Sequence, residues 1–340
     1  MDNTSNESIV PQDNEYNQLP FEFIGDGTEY FKIWIVNILL SIITLGIYSA
    51  WATVRNNRYI YSNLYLGENN FRYLAEPIPI LKSRIIAVAL LVIFSFASQS
   101  SPQIAIGLAA LMFIAIPYFV NKSVAFNYRM SAFKNIQFRF KASYREAFLV
   151  LYVWPILGIL SLGILYPMAL LKMNQFLVGN ASYGTTKFTF NATYADYGKI
   201  FLTIIGVGVV VGIPTWAIAV YIPQLAFIPP VVMIAVYFGL FVFFMVSTTN
   251  LFYRSMAIAS HKFEANLNMV DLSKVILINL FLTVLTLGLY LPAAKVRMLK
   301  YICSCMVMQA NGSLDNFTAA EAENVSAIGE ELGQAFDFGV

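Results

Sequence analysis

Residues 44–59, TLGIYSAWATVRNNRY, decide how the chain is read. An apolar run stops at Leu45-Gly46, and nine residues past the glycine a polar knot begins: Arg55, Asn56, Asn57, Arg58 and Tyr59. The pattern occurs twice more, in GILSLGILYPMALLKMNQF (158–176) and TVLTLGLYLPAAKVRMLKY (283–301), with Leu-Gly at Gly163 and Gly288. Nine past each glycine stands a cation: Arg55, Lys172 or Arg297. Twelve past it comes Arg58, Gln175 or Lys300, and thirteen past it an aromatic, Tyr59, Phe176 or Tyr301. Three offsets kept in register three times point to an internal repeat.

A second register joins the first. Phe71 and Phe188 follow Tyr59 and Phe176 by twelve residues, and Phe126 and Phe138 are separated equally, with Lys122 four before Phe126. Each later Phe opens a short alternating stretch, FRYL at 71, FRFKASY at 138 and FTFNATY at 188; FEFIGDGTEY at 21 and the weaker FEANLNM at 263 match them. Alternation of period two bounded by polar residues reads as a brief strand. The chain thus reads as about five copies of a strand, helix, turn, helix unit, with boundaries near 21–70, 71–137, 138–187, 188–262 and 263–312.

Composition supplies the solvent. The 340 residues are 58% hydrophobic and 12% charged, with a mean hydropathy of +0.65, whereas soluble domains carry about 25% charged residues. Lipid must surround most of the chain. A net charge of +2 without an Arg/Lys stripe excludes nucleic acid as a partner. Cys303 and Cys305, one residue apart, offer no disulfide framework. Residues 1–20 lack the basic start and apolar core of a secretory signal and read as a disordered acidic tail; 313–340 read as a polar acidic tail, partly helical.

Seven stretches are apolar enough to be bilayer spans: 30–48, 81–98, 103–120, 147–166, 200–221, 224–246 and 274–291. Backbone amides in hydrocarbon must be satisfied within their own segment. The expected fold class is therefore an all-α integral membrane bundle of about seven apolar spans, built from internal repeats of a short strand plus a helical hairpin, with short interfacial β-strands. The links at 98–103 and 221–224 make antiparallel hairpins and contain no Lys or Arg. Seven single crossings would split the basic segments between two sides, with 167–199 and 247–273 opposite the rest, against the positive-inside tendency. Taking the five-copy repeat literally instead makes 44–46, 161–163 and 286–288 turns inside the membrane, with all the strands at one surface and free to pair. Single crossings are slightly favoured, because the re-entrant alternative buries Arg55, Lys172 and Arg297 deeply.

The same residues carry a resemblance. FEFIGDGTEYFKIWIVN (21–37), TLGIYSAWATVRNNRYIYSN (44–63) and TLGLYLPAAKVR (286–297) resemble the YjgN-like family of uncharacterised bacterial inner-membrane proteins over residues 21–317. The resemblance implies a multi-pass position in the bacterial inner membrane and brings no catalytic residues.

Candidate functional residues follow from the registers. Arg55, Asn56, Asn57, Arg58, Tyr59, Lys122, Lys172, Asn174, Gln175, Arg297, Lys300 and Tyr301 either line a central polar cavity for an anionic solute or mark helix ends at the lipid headgroups. Gly46, Gly163 and Gly288 are expected at structural turns. One histidine, His261, and no Cys/His/carboxylate grouping leave no metal, cofactor or catalytic constellation to propose. The expected function is transport or permeation of an anionic or amphipathic solute. The alternative is a non-transporting scaffold that organises membrane lipid or a partner complex.

Overall fold

The computed structural model describes residues 16–312 and 314–336. The chain runs strand, helix, helix, strand five times in succession. The first segment is β1 (Tyr16–Phe23), α1 (Gly27–Ile43), α2 (Ser49–Ser62) and β2 (Leu64–Leu66); the second is β3 (Asn69–Tyr73), α3 (Pro77–Ser100), α4 (Pro102–Arg129) and β4 (Ser131–Phe133). The third comprises β5 (Ile136–Phe140), α5 (Tyr144–Phe148), a π-helical turn at Leu149–Val153, α6 (Trp154–Leu160), α7 (Tyr166–Gly179) and β6 (Ala181–Tyr183). The fourth is β7 (Thr186–Phe190), α8 (Tyr194–Tyr221), α9 (Ile228–Arg254) and β8 (Met256–Ile258). The fifth is β9 (His261–Ala265), α10 (Met269–Leu285), α11 (Leu291–Ser304) and β10 (Met306–Asn311), after which comes α12 (Leu314–Phe336).

The strands pair antiparallel into one closed barrel, in the order β1-β10-β9-β8-β7-β6-β5-β4-β3-β2. Two-residue turns join successive segments, as at Phe133↔Ile136 and Tyr183↔Thr186. Lys134 and Asn135 both take positive φ, as a type I′ hairpin turn requires. Helices leave and return at one end of the barrel, and the tight turns ring the other end. β1 is long enough to pair twice, Tyr16–Pro20 with β10 and Phe21–Phe23 with β2. Residues 16–20 of the expected N-terminal tail are thus strand, while residues 1–15 lie outside the described part.

This architecture overturns the expected all-α bundle of about seven spans. The strands are not separate interfacial pieces but a closed barrel, and four of the described helices are long and apolar enough to cross a membrane: 77–99, α4, α8 and α9. The expected spans 30–48, 147–166 and 274–291 fail for one reason. Their helices stop at Ile43, Leu160 and Leu285, and the chain turns back into helices of fourteen residues, α2, α7 and α11. With 17 residues, α1 and α10 each reach about 25 Å, against about 42 Å for the 28 residues of α8.

The three turns share one geometry. Leu45, Leu162 and Leu287 adopt φ of 49°, 53° and 51°, and Gly46, Gly163 and Gly288 follow with φ of 90°, 91° and 91°. Gly46 N donates to Ser41 O at 2.7 Å and Leu45 N to Ile42 O at 3.1 Å, the paired bonds of a Schellman helix end. Thr44 Oγ1 donates to Leu40 O and accepts from Tyr48 N, and Thr286 does the same with Leu282 O and Tyr290 N. Ser161 plays the part with Gly158 O and Leu165 N. Each turn therefore supplies partners for several of its own backbone groups, while its tip leucine is 94% exposed. That combination suits a helix end immersed in lipid.

Nothing lies within 4 Å of a Cβ added at Gly46 or Gly163, so substitution there tests the backbone alone. Gly46→Ala and Gly163→Ala are expected to lower stability by about 1–2 kcal/mol each through the left-handed φ. Leu45→Ala should change it far less. Thermal unfolding in detergent would measure the difference.

Candidate functional site

The Phe-x-Phe pattern divides its labour between two layers. The first aromatic of each segment, Phe21, Phe71, Phe138, Phe188 and Phe263, packs on the cluster inside the barrel: Leu66, Phe133, Ile136, Tyr183, Ile258 and Met308. The second points to the helix roots. Phe23 packs with Tyr30 and Tyr59, Tyr73 with Val54, Phe140 with Val150 and Phe176, and Phe190 with Tyr197 and Leu171. Ala265 takes the place in the fifth segment, against Val242 and Leu272.

The five inner phenylalanines form a closed ring. Centroids of neighbours are 6.4 Å apart for Phe21–Phe71, Phe71–Phe138 and Phe188–Phe263, and 6.3 Å apart for Phe138–Phe188 and Phe263–Phe21. Neighbouring planes differ by 17°, 16°, 36°, 23° and 37° in the same order. Rings standing on edge around a fivefold axis would differ by about 72°. The phenyl groups therefore lie nearly flat across the barrel, as a diaphragm. A regular pentagon with these sides sets the centroids about 5.4 Å from its centre, leaving an aperture roughly 4–5 Å across after van der Waals radii.

A cavity of about 290 Å³ follows the barrel axis on both sides of this ring. Tyr128, Val178 and Tyr253 border it toward the helices; Tyr183, Ile258 and Met308 border it toward the turns. Helix α12 closes the turn end. Leu314, Phe317 and Thr318 reach into the cavity, and Phe317 meets the edge of the His261 ring at 4.9 Å. Glu321, 4% exposed, fastens the helix to the β6–β7 turn by accepting from Thr185 N at 2.7 Å, from Thr185 Oγ1 at 2.8 Å and from Thr186 Oγ1. Lys134 in the β4–β5 turn pairs with Asp315.

None of the twelve polar and aromatic residues singled out from the sequence borders this cavity. Arg55, Arg58, Lys122 and Lys300 are exposed. Lys122 lies over the Tyr118 ring at 5.5 Å, Lys172 over Trp154 at 6.0 Å, and Arg297 over Tyr290 at 5.4 Å. Lys172 also donates to Gln175 Oε1 at 3.0 Å, and Asn174 Nδ2 donates to the Tyr197 hydroxyl. Tyr59 and Tyr301 act as matched pins: each hydroxyl accepts from the backbone N of a helix cap, Asp26 or Asn268, and donates to the carbonyl of the same residue. Asn56 accepts from Asn37 Nδ2 at 2.8 Å, and Asn57 is half-buried. Gly46, Gly163 and Gly288 sit in the three helix turns.

Sequence reasoning passed over Asn37 and Asn279, both buried within the short hairpins. Asn279 donates to Ala294 O and accepts from Arg297 at 3.5 Å. Each stands nine residues before its Leu-Gly glycine, and Trp154 holds that place in the third segment, so the register itself was the missed signal. The ring phenylalanines carried the strand register, whereas the anchors on α12 had no comparable signature.

A family model described as bacterial protein of unknown function (DUF898) matches residues 18–335. The chain belongs to this family. Inner membrane protein YjgN of Salmonella typhimurium is 29% identical over 209 residues, 61% of this chain and 49% of that protein. Inner membrane protein YjgN of Escherichia coli O157:H7 is 29% identical over 147 residues, covering 43% and 37%, and that of strain K12 is 28% identical over 152 residues. The chain thus matches half or less of the length of these relatives. No solved structure matches. These relatives and the long apolar helices make the chain an inner-membrane protein.

The hold on α12 depends on pH. Burial pushes the Glu321 carboxyl up, and the hydrogen bonds from Thr186 and Thr185 outweigh it, so the group titrates below its ordinary value of 4.5. Burial lowers the imidazole of His261 below 6.5. Docking is therefore strongest near neutrality. It weakens as pH falls from 6.5 and the buried imidazole must be protonated, and again as pH falls from 4.5 through the lowered carboxyl value. Amide hydrogen exchange at 314–325 is expected to speed up in those two steps. Glu321→Gln, which removes the charge from the bonds to Thr185 and Thr186, should weaken docking by about 1–3 kcal/mol at neutral pH.

Proposed function

We propose that this inner-membrane protein is a multi-pass membrane protein of five copies of one unit, and that its barrel forms a passage for the apolar part of an amphipathic solute. One observation carries the reading: the axial cavity of about 290 Å³ is apolar from helix roots to turns and is narrowed by a ring of phenylalanines. A passage for a hydrated anion would place cations on this axis; its walls instead suit a hydrocarbon chain. The barrel lies on the cytoplasmic side, because the Lys and Arg residues gather around it and at the helix roots, and the far links at 98–103 and 221–224 have none. The short hairpins dip into the bilayer and return, and α12 closes the cytoplasmic mouth.

A second reading, a scaffold without transport, draws support from the local ring partners of Lys122, Lys172 and Arg297 and the exposure of Arg55, which suit cations anchored at lipid headgroups. Ile258→Trp separates the two. It fills the lumen, is expected to cost about 1–3 kcal/mol, and should cut binding of a fluorescent single-chain fatty acid severalfold under the passage reading. Unchanged binding by a folded Ile258→Trp variant rejects the passage.

Sidedness has its own test. In a chain lacking Cys303 and Cys305, single cysteines at Asn63, Ser182 and Ser260 are expected to label from the cytoplasm, and those at Ser101 and Gln224 from the opposite face. Opposite labelling of 63 and 182 would refute the placement.

A further inference from the structure

Two clefts open on the outside of the barrel at corresponding places. One, of about 480 Å³, lies between the end of α2 and β3 and is bordered by Arg58, Ser62, Asn70, Phe71 and Arg72. The other, of about 450 Å³, lies between the end of α11 and β1 and is bordered by Lys300, Ser304, Phe21 and Glu22. Arg58 and Lys300 both stand twelve past a Leu-Gly glycine, and Ser62 and Ser304 four further on. Ser62 donates to Tyr59 O at 3.0 Å and Ser304 to Tyr301 O at 2.8 Å. One position changes the chemistry: Arg72 in the first cleft is Glu22 in the second.

We propose that the α2–β3 cleft binds the phosphate headgroup of an anionic membrane amphipath. Arg58 Nη2 donates to Ala75 O at 3.1 Å and Arg72 Nη1 to Asn135 Oδ1 at 2.8 Å, so each guanidinium is oriented by one bond and keeps further N–H groups for a ligand. Neither forms an ion pair among the described residues, where the ion pairs are Lys134–Asp315 and Lys274–Asp271. Two like charges bordering one cleft favour an anion between them, and a guanidinium matches phosphate oxygens in geometry. Both serine hydroxyls are spent on backbone carbonyls, which leaves the charge contrast to the arginines. The cleft opens where α2 meets its strand, at headgroup depth in the placement above, beside the backbone of β3, whose Arg72 faces outward between the inward Phe71 and Tyr73. The α11–β1 cleft, bordered by Lys300 and Glu22, is the built-in neutral counterpart.

This site goes beyond the passage through the lumen and does not depend on it. The test uses the full-length protein in neutral detergent, titrated calorimetrically with dioctanoyl phosphatidic acid, dioctanoyl phosphatidylcholine and inorganic phosphate. Phosphatidic acid is expected to bind one site, and Arg58→Gln with Arg72→Gln to weaken it about tenfold or more. Lys300→Gln should leave binding unchanged. Glu22→Arg should add a second site beside Lys300, a gain that does not depend on whether the double variant folds. Unchanged affinity in a folded double variant, or no gain from Glu22→Arg, overturns the site. Equal affinity for phosphatidylcholine or for inorganic phosphate overturns its assignment to an anionic amphipath. Ile258→Trp leaves this binding intact even if it abolishes fatty-acid uptake, so the two readings fail separately.

Discussion

The seam between β1 and β10 holds the molecule together. Tyr16 to Pro20 pair with Asn311 back to Val307, so the first and the last strands are zipped side by side. Most of the other strands are three or five residues long, and an isolated hairpin of that size is marginal in water. Closure removes every open edge at once and makes each short ladder depend on its two neighbours. Helix positions inherit this order. The principal helix contacts join chain neighbours, and α1 meets α11 where the barrel closes, so the hairpins are placed by the strands from which they spring.

Aromatic side chains carry this order from strand to helix. Phe138 sits in the axial ring, and Phe140, two residues on and on the same face of β5, packs against Phe176 and Val150 at the root of the helices. A strand of five residues thus has one foot in the lumen and one in the membrane-facing layer. The same spacing in β1, β3 and β7 repeats the division, and Ala265 relaxes it in β9, where Met306 and Leu272 fill the space.

Two features of the fold were legible in the sequence for physical reasons. Leu-Gly with a preceding Ser or Thr marks a helix end that must satisfy itself, and the hydroxyls of Thr44, Ser161 and Thr286 do so in the structure. Phe-x-Phe alternation marks the entering strands. The returning strands were not legible: Leu64–Leu66, Ser131–Phe133 and Ala181–Tyr183 are too short to alternate measurably, and each follows a helix after a single residue. Counting apolar runs as crossings then gave seven, because hydropathy measures how greasy a helix is and not where it turns. The site was harder still. Cations attract attention in a membrane sequence, and although the register marks Phe21, Phe71, Phe138, Phe188 and Phe263 as strand openers, only closure of the barrel turns all five to one axis.

Entry and exit of every segment at the same end of the barrel has an architectural consequence. Because each segment brings two antiparallel strands, the ring tolerates an odd or an even tally, and parity places no limit on growth. The width of the phenylalanine ring is then set by the number of segments: a hexagon with the same spacing would move the phenyl centroids about 1 Å outward from the axis. Lengthening such a chain by one segment is a route to a wider barrel that leaves each local contact as it was.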